Sequence, residues 1–289
     1  MVEPGTVLPP ENERADLERL AIDVAVEAAR LIVDERPADL GVHSTKSTLT
    51  DVVTVMDHRS QALVIERLTA ARPGDAVYGE ERGGVSGDSG VTWVVDPIDG
   101  TVNYLYGIPA YAVSLAAVVG DPEVVGGFTP FVGVVVNPET GEVYHARSGG
   151  GAWLTRAGGE PRRIVAGPGP ELSLALVATG FGYVAERRRW QARVLQDVLP
   201  AVRDIRREGG AALDLCHVAT GRVDAFYESG LNAWDLAAAW VVASEAGVVV
   251  GGLDGPGTPG PDLTWAAGAG LAPALSSLVI GATRAHRGV

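Results

Sequence analysis

Cysteine is almost missing from this chain: Cys216 is the only one in 289 residues. No intrachain disulfide can form, so a packed core has to hold the fold, and a chain of this length has ample material for one. Lysine is equally scarce, with Lys46 the single lysine among 23 basic residues. No apolar run approaches the roughly 20 residues of a membrane span. The opening Met1-Val-Glu-Pro-Gly5 has neither the basic start nor the apolar centre of a signal peptide. These absences make a cytoplasmic protein the expectation. The five histidines show no H-E-x-x-H spacing, and neither a P-loop nor a G-x-G-x-x-G run occurs. No segment repeats at a fixed period.

Positive charge is also short. Lys and Arg number 23 against 36 Asp and Glu, a formal net charge of −13. Nucleic-acid binders usually carry a basic face, so such a partner is not expected. A phosphate-binding protein would face the same repulsion unless cations intervened. Acids that hold metals, with the metals holding the phosphate, remove that conflict; plain solubility explains the acid excess equally well.

What the chain does have is the stretch Thr92-Trp-Val-Val-Asp-Pro-Ile-Asp-Gly-Thr101. Trp93 to Val95 read as a buried strand, expected to stop at Asp96-Pro97 because proline cannot donate a ladder hydrogen bond. Asp96 and Asp99 flank the proline turn, and Gly100 and Thr101 follow with backbone N–H groups at the start of a short helix. Hard oxygen ligands beside such a terminus suit a magnesium ion and a phosphate held side by side.

Around this stretch, helical spacing runs from about Asn12 to Arg36 and from about His58 to Ala71. Ala76–Glu80 reads as a short strand ending in acids. Valine-rich strands at 111–119, 124–137, 142–146 and 151–155 suggest an antiparallel meander. Pro161–Pro170 is a Pro/Gly-rich connector, giving expected halves of 12–160, with most metal ligands, and 171–289. The second half alternates strands near 174–179, 203–206, 224–227, 248–250 and 264–267 with helices at 185–199, 211–219, 234–246 and 271–280. The fold class is therefore α+β, with layers stacked in one body. Asp57 closes a valine-threonine run, and Asp235 follows Trp234 where it also reads as a helix cap. Arg187-Arg-Arg189 reads as a solvated helix face, and Cys216 as core.

Asp96-Pro-Ile-Asp-Gly-Thr101, with Gly79-Glu-Glu81 upstream and Trp234-Asp235 downstream, resembles the inositol monophosphatase family of magnesium-dependent, lithium-sensitive phosphatases, nearest to its bacterial members. The resemblance covers nearly the whole chain and implies a layered αβαβα sandwich, commonly homodimeric. It implies that Glu80, Asp96 and the Ile98 carbonyl bind one magnesium, that Asp96, Asp99 and Asp235 bind a second, and that Glu80 shares a weaker third. Gly100 and Thr101 would hold the phosphate. Thr101 paired with Asp57 would activate the attacking water, with Asp51 supporting Asp57 and Lys46 in a loop near the metals. Gly209, Gly210, Ala211, Glu228 and Asp99 would contact the alcohol. Gly210 stands where the family usually has threonine or serine, and Glu208 replaces a usually apolar residue.

The chemistry agrees with that ligand set. A phosphate monoester dianion repels a nucleophile and leaves an alkoxide, and two metal ions relieve both difficulties. Magnesium prefers carboxylates and water. The implied reaction is hydrolysis of a phosphate monoester, most simply myo-inositol 1-phosphate. Histidinol phosphate, fructose 1,6-bisphosphate and adenosine 3′,5′-bisphosphate are alternative substrates. A non-catalytic partnership with the transcription machinery is an alternative of another class.

Overall fold

The computed structural model describes residues 7–45 and 52–287. Lys46 and Asp51, both named above, lie outside the described residues. Helix α1 (Glu11–Asp34) leads into a short antiparallel ladder of β1 (Ser44–Thr45) and β2 (Val52–Val53). Helix α2 (Val55–Ala71) follows, starting three residues before its sequence-based expectation. The reason is local: the Thr54 hydroxyl accepts the Met56 N–H, and the Asp57 carboxylate returns to the Thr54 N–H, a reciprocal cap. Asp57 therefore sits in the first turn of a helix rather than at the end of an extended run.

A seven-stranded sheet comes next, its strands in chain order: β3 (Ala76–Gly79), β4 (Val91–Asp99), β5 (Ala112–Gly120), β6 (Phe128–Asn137), β7 (Glu142–Arg147), β8 (Gly151–Thr155) and β9 (Arg162–Ile164). The β3–β4 pair is parallel, and the rest form the antiparallel meander expected. Strand β4 does not stop at Pro97. It pairs Asp96 with Ser114, skips, and pairs Asp99 with Ala112. The proline falls in that irregularity, where no ladder donor is required. Helix α3 (Thr101–Tyr106) begins directly afterwards.

The second sheet has six strands in the order β11 (Asp204–Arg206), β10 (Leu176–Thr179), β12 (Ala225–Glu228), β15 (Thr264–Ala267), β13 (Val249–Gly252) and β14 (Gly255–Pro256). Helices α4 (Ala185–Val198), α5 (Ala211–Thr220), α6 (Ala233–Glu245) and α7 (Ala272–Arg287) complete the chain. None of the described helices is long and apolar enough to cross a membrane.

Strand alternation explains the layering. Along β4, Trp93 and Val95 face a core shared with α1 and α2, while Val94 faces a core shared with α5 and α6. In the second sheet, Phe226 and Ala266 face that central core, and Ala225, Tyr227, Trp265 and Ala267 face a third core with α4 and α7. Each sheet is thus apolar on both faces, as a sheet covered by helices on both sides must be. The result is the five-layer αβαβα arrangement. The central helices α5 and α6 have two sheets to contact, and apolar residues are buried around most of their surface, Leu213, Leu215, Cys216, Ala237, Ala239 and Val242 among them.

Close approach at one point seats α6 on the first sheet. Gly133 of β6 lies against the Ala238 carbonyl, and a Cβ there would collide with it. Gly133→Ala is expected to push α6 outward and cost about 1–3 kcal/mol, read as a lower denaturant midpoint. An unchanged midpoint would contradict this seating of α6.

Candidate active site

Four chain segments meet at one end of the layers. Bulged β4 turns Asp96 and Asp99 to the same cavity, and α6 brings Asp235 from the other half of the chain. One carboxylate oxygen from each of these three residues lies within 4.8 Å of the others. Asp96 and Asp99 are buried and Asp235 is half-buried. Glu80, at the end of β3, lines the same cavity without joining that tight group. Ile98, Gly100, Thr101, Gly209, Ala211 and Glu228 line it as well. Gly210 is not among the lining residues; a Cβ added to it would lie 3.1 Å from Asp99 Oδ2. The cavity measures about 440 Å³.

Each of the three clustered aspartates accepts a backbone N–H. Asp96 Oδ1 accepts the Ile98 N–H at 3.0 Å, which closes the turn around Pro97. Asp99 Oδ2 accepts the Ala212 N–H at 2.8 Å. Helix α5 has Gly210 at its N-cap and no side-chain cap of its own. Asp99 supplies one from a distant strand, satisfying an orphan amide of the first turn. Asp235 Oδ2 accepts the Asn232 N–H at 2.7 Å, the same third-position return that Asp57 makes to Thr54. The N-cap of α6 is Asn232, and Asp235, at the third helical position, completes the reciprocal cap while another of its oxygens joins the acid group.

Thr101 connects this cluster to α2. Its hydroxyl oxygen is 3.2 Å from Asp57 Oδ1 and 3.0 Å from the Ile98 carbonyl. It has one proton for these two acceptors, so it can donate to only one at a time. Asp57 Oδ2 is already held by the Thr54 N–H and hydroxyl at 2.7 and 2.6 Å, which leaves Oδ1 directed at Thr101. Gly100 adopts φ +89°, and a Cβ there would press on the Ala110 and Gly209 carbonyls. Only glycine turns the chain so tightly.

Several residues that sequence reasoning missed hold these parts together. Ser60 donates to the Pro97 carbonyl at 3.2 Å, and Gln61 exchanges hydrogen bonds with Glu81 (2.7 and 3.0 Å). With Asp57 they form one polar face of α2 at helical spacing, a signal that a correct helix start would have exposed. Asn103 bridges the Ala110 and Glu208 carbonyls, each at 2.7 Å, tying α3 to the segment before α5. Arg187 and Arg207 also enter the cavity wall. Of the Arg187–Arg189 run, then, the first arginine faces the site rather than solvent alone.

The electrostatics are those of crowded acids. Burial pushes the Asp99 carboxyl well above the ordinary range, and Asp235 and Glu80 push it further, against the pull of the Ala212 and Ala211 amides. Glu228 is raised to about 8, first by burial and then by Asp235 and Asp99. Nearby acids that disfavour each other's charge are a functional-site signature, and an all-oxygen donor set suits a hard divalent cation. The residues present therefore fit a metal. A second group, Glu208, Asp214 and His217, also lies within 4.8 Å. There Glu208 pairs with His217 Nδ1 at 3.1 Å, which accounts for an acid at that position.

Comparison with known proteins agrees with the geometry. The model of the inositol monophosphatase family matches residues 13–287. An inositol-1-monophosphatase of Mycobacterium tuberculosis, SuhB, is 46% identical over 256 residues, covering 83% of this chain and 85% of that protein. A protein of Haemophilus influenzae named Nus factor SuhB is 34% identical over 237 residues, covering 81% and 84%. The solved structure of Mycobacterium tuberculosis SuhB superposes with a TM-score of 0.78 at 42% identity, covering 94% of this chain and 98% of that one. Family model, relatives and fold converge with the acid cluster, and the chain belongs to the inositol monophosphatase family, as an enzyme of that family of metal-dependent phosphatases.

Proposed function

We propose that the enzyme hydrolyses a phosphate monoester with magnesium, and that its substrate is myo-inositol 1-phosphate. The observation that carries this reading is the meeting of Asp96, Asp99 and Asp235 within 4.8 Å in one cavity. The similarity to an inositol-1-monophosphatase at 46% identity supports the choice of alcohol. Asp96, Asp99, Asp235, Glu80 and the Ile98 carbonyl would hold the metal ions, two or three of them. When bound, the ions would supply a lowered pKa for water and stabilise the departing oxygen.

The chain's own residues carry the rest. The Gly100 and Thr101 N–H groups orient the phosphate. Asp57 Oδ1 takes the Thr101 hydroxyl proton's hydrogen bond, so that the Thr101 oxygen can accept from the attacking water and steer it in line. Lys46 is assigned beside them by resemblance alone. Glu228 accepts hydroxyl hydrogens of the alcohol, and Gly209, Gly210 and Ala211 offer it a close, side-chain-poor wall. A homodimer in the cytoplasm is the setting this reading carries. A role with the transcription machinery has one specific support, the Nus factor name of the Haemophilus influenzae relative. Buried, mutually repelling acids favour catalysis over it, because a binding surface gains nothing from them.

Purified enzyme should release phosphate from myo-inositol 1-phosphate only with magnesium, and Asp96→Asn should lower kcat by at least about 100-fold while the circular dichroism spectrum is kept. Equal turnover with EDTA present would contradict the cofactor assignment. A kcat/KM for histidinol phosphate or fructose 1,6-bisphosphate well above that for inositol phosphate would overturn the substrate.

The crowded acids also set a pH dependence. Glu228 ordinarily titrates near 4.5 and in the fold is raised to about 8. Between those values the metal-free folded protein keeps a proton that the unfolded chain releases. Stability present below about 4.5 is therefore lost as pH rises to about 8. The melting temperature of metal-free enzyme should fall across this window, and added magnesium should raise it most at the upper end. A metal-free melting temperature that rose from pH 5 to pH 8 would count against this electrostatic picture.

A further inference from the structure

Three residues behind the alcohol wall form a group that the proposed reaction does not use. Glu208 stands just before α5, and Asp214 and His217 are three apart on α5 itself, a spacing that puts them on one helix face. One ligand atom from each lies within 4.8 Å of the others. None of the three lines the acid cavity. The pairing of Glu208 with His217 accounts for those two residues but not for Asp214. Asp214 is 1% exposed, and its Oδ1 has no hydrogen-bond partner among the described residues.

Other buried acids in the chain have donors. Glu18 meets His145 and Arg147, Asp75 meets Arg72 and Trp93, and Glu142 meets Arg222. Asp214 meets acids instead: burial first, and then Glu208, lift its carboxyl to about 9. A buried acceptor left unsatisfied is costly, and a cation placed between these side chains would satisfy it. The Glu208 side chain is 35% exposed, which opens a path from solvent to the group. The far nitrogen of His217 defines the ring's tautomer. Arg222 Nη1 lies 3.2 Å from His217 Nε2, and a guanidinium only donates, so Nε2 accepts and the ring proton sits on Nδ1, toward Glu208. A metal takes the place of that proton, which moves to Nε2. Arg222 Nη1 then keeps its other acceptors, Glu142 Oε2 at 2.7 Å and the Tyr144 hydroxyl at 2.8 Å.

We propose that Glu208, Asp214 and His217 bind a zinc ion, with water as the fourth ligand, at a site separate from the acid cavity. One imidazole nitrogen with carboxylate oxygens is a zinc donor set, whereas magnesium is held by oxygens alone. Zinc here fastens Glu208 to α5. The Glu208 carbonyl already accepts from Asn103 Nδ2 at 2.7 Å, so the ion braces the segment carrying Gly209 and Ala211 from the side away from the substrate. The site is independent of the phosphatase reading: it stands on zinc binding, not on turnover.

The test uses the full chain with zinc as the probe and magnesium in excess. Crystals soaked in zinc and recorded on both sides of the zinc absorption edge are expected to show an anomalous peak among Glu208, Asp214 and His217, lost in His217→Gln. In solution, calorimetry in an Asp96→Asn background weakens competition from the acid cluster. There, zinc affinity should fall at least about 10-fold in His217→Gln and in Glu208→Gln, since even an outer partner of a metal site is typically worth that much. Glu208→Gln alters a half-buried side chain and keeps the test open should His217→Gln misfold. A zinc peak confined to the acid cluster, no peak at saturating zinc, or an affinity unchanged in Glu208→Gln overturns the site.

Discussion

The structure is organised around the mutual repulsion of clustered carboxylates. Asp96, Asp99 and Asp235 bring carboxylate oxygens together within 4.8 Å, and Glu80 adds to their field. Elsewhere the chain answers buried acids with cations, as where Arg147 and His145 meet Glu18, or where Arg222 and Arg156 hold Glu142 well below the usual carboxylate range. At the cluster the Ile98, Ala212 and Asn232 backbone amides donate to Asp96, Asp99 and Asp235. Like charges so arranged cost stability unless a cation or a proton intervenes. That is the economy of a metal-dependent phosphatase: the fold stores the repulsion, and metal binding removes it.

Holding four acids against their mutual repulsion requires rigid supports, and helix starts provide them. Asp57 and Asp235 each return to the N-cap of their own helix, and Asp99 caps a helix to which it does not belong. One carboxylate oxygen serves the fold while the other is left to face the site, as with Asp57 Oδ2 on Thr54 and Oδ1 on Thr101. Helix α2 is the scaffold of this end. Its Asp57, Ser60 and Gln61 grip Thr101, Pro97 and Glu81, so three segments are fixed from one rigid face. Positioning of this kind is what phosphoryl transfer demands, since little covalent chemistry falls to the protein.

Much of this was legible in the sequence. The Asp96–Thr101 stretch pointed to the acid-lined cavity, and the valine-rich segments from 111 to 155 pointed to an antiparallel meander. The five-layer fold followed from resemblance and agrees with the three cores. What was not legible has identifiable causes. Proline suggested a strand end, but a bulge absorbed it, because a bulged residue needs no ladder donor. Val52-Val-Thr-Val-Met suggested an extended run through Asp57, but the Thr54–Asp57 reciprocal cap outweighed β propensity and started α2 at Val55. Glu208 had no local explanation because its partner, His217, lies a helix turn or more away. Arg187 looked like solvated helix surface because the glycines that receive it, Gly182 and Gly230, are far apart in sequence. In each case a long-range or backbone contact decided what a local pattern left open.

The central claim is that the Asp96–Asp99–Asp235 group, with Glu80, is the place where a divalent cation enters this fold. The most direct measurement is a crystal soaked in manganese and recorded at the manganese absorption edge. The expected result is anomalous density among these four carboxylates, weakened at the Asp96, Asp99 and Asp235 position in an Asp99→Asn crystal. Density confined to the Glu208, Asp214 and His217 group, or absent from both places at saturating manganese, would contradict the account.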